Sequence, residues 1–98
     1  MIVDFTESAQ EAYLNALLYI AERNHDAAVQ LATRVDKALN NVTMFPEAGR
    51  TIPEFSDSRY REMIVPPYRI QYFATGDDIL VVGFWHDKQI PEMPEEAL

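Results

Sequence analysis

Five side chains carry the chemistry this sequence can offer: Arg50, Arg61, Arg69, His86 and Lys88. Arg69 lies in Tyr68-Arg69-Ile70-Gln71-Tyr72. His86 ends Phe84-Trp85-His86, just before Asp87-Lys88. Arg69 and His86 stand in otherwise apolar runs, where a charge must be matched or used. A guanidinium is a planar fork that takes a phosphate or a carboxylate through two hydrogen bonds. Histidine changes protonation near neutral pH and is the natural acid or base. Two readings of Arg69 stay open at this level: an anion site, or an internal ion pair with Glu62 or Asp87. The clustered arginines Arg50, Arg59, Arg61 and Arg69 face the same choice together, with Glu54, Asp57 and Glu62 as candidate partners. His86 reads as a strand-end residue able to reach solvent, structural or catalytic. His25 reads as a loop residue facing water.

Other chemistries find no residues. The chain has no cysteine, which removes disulfides, thiol nucleophiles and thiolate metal sites. Its two histidines form no metal-ligand spacing. There is no phosphate-cradling glycine loop and no Gly-x-Ser-x-Gly elbow. No metal and no cofactor are expected.

The elements that position these residues follow from periodicity. Tyr60–Val65, Tyr68–Ala74 and Ile79–His86 read as three consecutive strands. Period two puts Arg61, Met63 and Val65 on one face of the first, with Tyr60, Glu62 and Ile64 on the other. In the second, Tyr68, Ile70, Tyr72 and Ala74 oppose Arg69, Gln71 and Phe73. In the third, Ile79, Val81, Gly83 and Trp85 oppose Leu80, Val82, Phe84 and His86. Both of its faces are apolar, so it reads as a central strand. Pro66-Pro67 makes one tight connection and Gly76-Asp77-Asp78 a hairpin turn.

Upstream, Ile2–Phe5 reads as a first strand. Thr6 caps the helix after it, with Ser8 to Glu11 as an alternative capping box. Ala9, Ala12, Tyr13, Ala16, Leu17 and Ile20 form one stripe of a helix of about 16 residues, roughly 24 Å long. Asp26 reads as the cap of a second helix, after a loop of about three residues. Its stripe is Ala28, Leu31, Ala32, Val35, Ala38, Leu39 and Val42, and Pro46 ends it. Gly49 reads as a turn residue free for positive φ. Thr51 to Ser58 reads as an irregular loop anchored by Phe55.

With 98 residues there is room for a single domain, placed at 1–90, followed by an acidic tail at 91–98. No apolar run reaches the ~18–20 residues of a membrane span, and the start lacks signal-peptide character. The expectation is a soluble, unprocessed, cytoplasmic protein with no membrane association. The net charge is −8, which suits nucleic acid poorly, because phosphate contacts need Lys or Arg. Four of the eight cations (Arg50, Arg59, Arg61, Arg69) nevertheless fall within twenty residues. A positive patch on an acidic body is one outcome of that clustering; internal pairing is the other.

The order strand–helix–helix–three strands, taken with particular residues, resembles the RelE/ParE toxin superfamily. Those residues are Val3-Asp4-Phe5-Thr6 with Ala9, Pro46 with Gly49-Arg50, Tyr60-Arg61-Glu62, Tyr68 to Tyr72, Gly76 to Ile79, and Trp85-His86. The resemblance covers about residues 2–90. It implies an α+β fold, β-α-α-β-β-β, with a helical hairpin packed on a twisted, mainly antiparallel sheet. It implies the toxin of a bacterial type II toxin–antitoxin system, inhibiting growth and neutralised by a cognate antitoxin. The assembly would be a homodimer or a toxin–antitoxin hetero-oligomer. RelE-like members cut messenger RNA in the ribosome; ParE-like members poison DNA gyrase. Arg69 fits the RelE-like arginine, and Lys88 fits the basic position after the last strand. Tyr60 and Glu62 replace the lysines expected in the second strand, and Gln89 replaces an arginine. No C-terminal tyrosine is evident where Glu95 and Glu96 lie. The pattern is therefore closer to ParE-like and plasmid-stabilisation proteins. On the ParE-like reading Arg50, Arg61, Arg69 and Lys88 contact the target or a phosphate. On the RelE-like alternative Arg69 and His86 are catalytic in an endoribonuclease. A degenerate member that only binds its antitoxin is the third reading. An acidic toxin implies an antitoxin segment richer than usual in Lys and Arg.

Overall fold

The computed structural model describes residues 2–57 and 59–94. Residues 95–98, the end of the expected tail, lie outside the described residues. The chain runs β1 (Val3–Phe5), α1 (Glu7–Arg23), α2 (His25–Met44), β2 (Arg50–Thr51), β3 (Tyr60–Val65), β4 (Tyr68–Thr75) and β5 (Asp78–His86). One five-stranded sheet has the order β1-β5-β4-β3-β2. β1 lies parallel to β5, and every other neighbour is antiparallel. The expected α+β architecture is therefore present, with the helical hairpin on one face of the sheet.

Local chemistry sets the helix ends. The Thr6 side chain accepts from the Ala9 amide, 3.2 Å, and starts α1. Asn24, in extended conformation, serves both helices. Its backbone N–H donates to the Ile20 carbonyl and closes α1, while its side chain accepts from the Ala27 amide and opens α2. Asp26 is thus not the cap, and the interhelical link is Asn24 alone rather than a three-residue loop. Asp26 sits in the first turn of α2, where its charge meets the positive end of the helix dipole.

The core forms where the helix stripes meet the sheet. Leu31, Val35, Leu39 and Val42 of α2, with Ala9 of α1, pack on Met63, Val65, Ile70, Tyr72, Ile79, Val81 and Phe84. Burying a side chain of this size contributes roughly 1.5–3 kcal/mol. Tyr13 of α1 adds a ring contact to Phe84, 5.0 Å between centroids. A smaller cluster on the opposite face joins Ile52, Tyr60 and Val82, with Phe55, Phe73 and Leu80 against it. Phe55 is the anchor expected of its loop.

Three expectations are corrected. Arg50–Thr51 is a strand, paired with Glu62 and Arg61, where an irregular loop was expected from Thr51; two residues are too few to show alternation. Gly49 does not adopt positive φ, which among the described residues belongs to Gly76 alone. It is glycine because a Cβ there would stand 2.6 Å from the Tyr72 hydroxyl. Third, strict alternation fails in β5. Gln71 pairs with Gly83, but Tyr72 pairs with Val81, so Val82 is an extra, unmatched residue. Beyond this bulge the faces swap. Phe84 and His86 join Ile79 and Val81 on the helix side, opposite Ile70 and Tyr68. Gly83 and Trp85 pass to the open side, opposite Gln71 and Arg69.

Candidate functional site

The open side of the sheet, away from the helices, holds the densest polar cluster. β3 supplies Glu62, β4 supplies Arg69 and Gln71, β2 supplies Arg50, and the turn after β2 supplies Glu54. The Glu62 side chain has no exposure. It accepts from Arg50 Nε at 2.6 Å, Arg69 Nε at 2.8 Å and Gln71 Nε2 at 3.0 Å. Burial pushes its carboxyl up. The donors Arg69, Gln71 and Arg50 outweigh that, and the group ends below its ordinary range.

Arg69 is gripped on two sides. Its Nε and one terminal nitrogen face Glu62; its two terminal nitrogens fork onto Glu54 at 2.9 and 2.6 Å. Four of its five N–H groups are engaged. These hydrogen bonds hold Glu54 down to about 2, and the guanidinium is pushed up by Glu54 and then Glu62. The internal pairing considered for Arg69 is present with Glu62, and Glu54 joins it. Asp87 takes no part in it: it lies by His86, Nδ1 to Oδ1 2.9 Å.

The sheet keeps the other candidate residues apart. Arg61 pairs with Tyr72 in the register, on the helix side, and donates to the Gly49 carbonyl at 2.8 Å. There it braces the Pro46–Gly49 turn together with Tyr72, whose hydroxyl donates to Pro46 O and accepts from Gly49 N. Arg61 and Arg69 therefore lie on opposite faces. So do Arg69 and His86. His86 stands edge-on to Tyr68, 5.6 Å, and lines a shallow groove of about 340 Å³ between β5 and Ala9, Ala12 and Ala16 of α1. A neutral His86 Nδ1 accepts from the Lys88 amide at 3.1 Å; a protonated one donates to Asp87. Lys88 is exposed in the turn after β5. Of the sequence candidates, only Arg50 and Arg69 share a site, through Glu62.

Sequence reasoning missed two features. Gln71 was read only as a face-mate of Arg69, yet its amide is one of Glu62's donors. Its Oε1 and the Trp85 Nε1 are buried without a partner, crowded over Gly83, where a Cβ would meet them at 2.4 and 2.7 Å. The second feature is apolar. Leu14 and Leu18 are exposed on the outer side of α1. Both fall outside the helix's apolar stripe, and that was the available signal.

Among the described residues no three His, Asp or Glu side chains are grouped to hold a metal, and no helix is long and apolar enough to cross a membrane.

A helical hairpin on one face of a mixed five-stranded sheet, with a buried arginine–carboxylate cluster on the other, defines a small α+β protein. The chain belongs to the ParE toxin family: the model described as "ParE toxin of type II toxin-antitoxin system, parDE" matches residues 3–91. No curated protein matches the sequence. Among solved structures it is similar in fold to a chain of the "Chromosomal ParDE TA system from P. aeruginosa". The TM-score is 0.68 and the identity 11%, covering 88% of this chain and 95% of that one.

Proposed function

We propose that this protein is the toxin of a type II toxin–antitoxin pair, inhibiting growth by binding DNA gyrase rather than by cutting RNA. One observation carries the choice between the two: Arg69 and His86 face opposite sides of the sheet. A general base and a phosphate-holding arginine must reach one substrate within hydrogen-bond range. Here a strand layer separates them, and Arg69 is already bound to two carboxylates. Toxicity by protein contact needs neither group to move a proton.

Neutralisation falls to a cognate antitoxin segment. On α1, Glu7, Glu11, Leu14, Leu18 and Glu22 share the outer face by helical spacing. An amphipathic segment with apolar centre and basic flanks complements it. The protein would work in the cytoplasm, where gyrase is.

The test is inducible expression followed by two readouts. Growth arrest should be accompanied by failure of DNA supercoiling, with ribosome-bound messages intact. His86→Gln should stay toxic. Message cleavage lost in that variant would establish the endoribonuclease instead. Absence of any toxicity would leave the antitoxin-binding, non-toxic member.

A further inference from the structure

The fork between Arg69 and Glu54 differs from the rest of the polar cluster in one respect. Glu62 is sealed inside, whereas the Glu54 side chain is 34% exposed. Glu54 sits in the turn that the Phe55 amide closes onto the Ile52 carbonyl, 3.1 Å. Ile52 is buried and Phe55 packs on Tyr60, so both neighbours of the turn are fixed by apolar contacts. The Glu54 side chain can therefore leave Arg69 without moving the backbone. Arg69 would stay in place, because Glu62 holds its Nε edge and Glu62 is itself held by Arg50 and Gln71. What would then face solvent is the end of the guanidinium, preset to receive a carboxylate in the geometry Glu54 now uses.

We infer that Glu54 is an internal stand-in for a partner's carboxylate, and that the partner binds by exchanging salt bridges. An Asp or Glu of the partner takes the Arg69 fork, and the released Glu54 takes a Lys or Arg of the same segment. The exchange leaves no buried charge unpaired, which is the condition for such a swap to be affordable. The charge of the chain selects a protein side chain over a nucleic-acid phosphate, since a net −8 repels a polyanion but not a segment carrying both signs. The site is thus a specificity element for a protein partner of mixed charge. This rests on the reading of the protein as a toxin that acts by protein contact, but the test below needs no toxicity.

The probe is the blocked peptide acetyl-Ala-Glu-Lys-Ala-amide, with Gln in place of its Glu as control. Binding is followed through the Arg69 Nε–H and Trp85 indole N–H resonances. Closed by its own carboxylate, the natural protein binds with an affinity reduced by the fraction of time Glu54 is away. Glu54→Gln removes that competitor, and binding of the Glu peptide should tighten by about tenfold, with the control peptide inert. Arg69→Lys in the Glu54→Gln background should abolish it, because an ammonium lacks the fork. In the natural protein, saturating peptide should return the Glu54 carboxyl from about 2 toward its ordinary 4.5, read by carboxyl carbon shifts. Equal peptide affinity with and without Glu54, or a Glu54 titration unmoved by peptide, overturns the inference. Preferential binding of a thymidine dinucleotide by the Glu54→Gln protein also overturns it, in favour of a phosphate ligand. A toxin that fails to act on gyrase yet shows the exchange would refute only the target.

Discussion

On the helix side of the sheet Val35, Ile70 and Val81 are fully enclosed by apolar neighbours. On the open side Glu62 and Gln71 are just as enclosed, at 1% exposure, and Arg69 nearly so. The same strands thus carry two kinds of interior. The first is held by burial, which is non-directional and scarcely depends on pH. The second is held by charge-assisted hydrogen bonds, each with one acceptable partner. An apolar core tolerates a replacement of similar volume. The ionic one tolerates joint replacement of a pair far better than loss of one member. The open side is therefore the more easily destabilised of the two by loss of one side chain.

The sharpest way to separate the two interiors is to remove one charge. Glu62→Ala strips Arg69 and Arg50 of their shared acceptor and should cost about 3–5 kcal/mol in urea unfolding at neutral pH. Replacing Glu62 and Arg69 together by Leu and Met should recover much of that loss. A double variant no more stable than the single one would break the distinction. Next in size, Leu31→Ala opens a cavity under the sheet and should cost about 3 kcal/mol.

The pH dependence tells the two apart without mutation. Glu54 and Glu62 both titrate lower in the folded chain than unfolded, so the folded state binds fewer protons in acid. Their stabilisation is complete above the unfolded value of 4.5 and falls away as pH drops below it, for Glu54 toward about 2. The contribution of Glu54 is the smaller, because its carboxylate is partly in water. Unfolding measured at pH 7 and pH 3 should show the Glu62→Ala cost shrinking and the Leu31→Ala cost unchanged. The smallest effect tests neither face. Asn24→Ala should cost about 1 kcal/mol by removing the side-chain cap of α2, with no pH dependence in that range.

Much of this was legible in the sequence where period and length cooperate. The two helix stripes, the Thr6 cap and the three long strands need only local patterning. Asn24 was passed over because Asp26 is an equally good cap by residue type, and only the backbone conformation at the junction decides. β2 was hidden by its length. The partners of Arg69 were legible only as candidates: Glu62 and Glu54 both stand near it in the chain, beside Asp57 and Asp87. The choice of Glu54 over Asp87 depends on where a turn lands in space. The relation of Arg69 to His86 was not legible, since it depends on how many residues each strand places between two hydrogen-bonded pairs. No single strand carries that count.

That relation rests on Val82. Were β5 to pair with β4 in the register of Tyr72 with Val81 throughout, Phe84 would stand opposite Arg69, and His86 would lie on the same face as Arg69. The difference is one of register alone: the same residues, paired without the bulge, would display an arginine and a histidine together. One unpaired residue in a strand thus decides which side chains a sheet can offer to a single ligand, with no change in the side chains themselves.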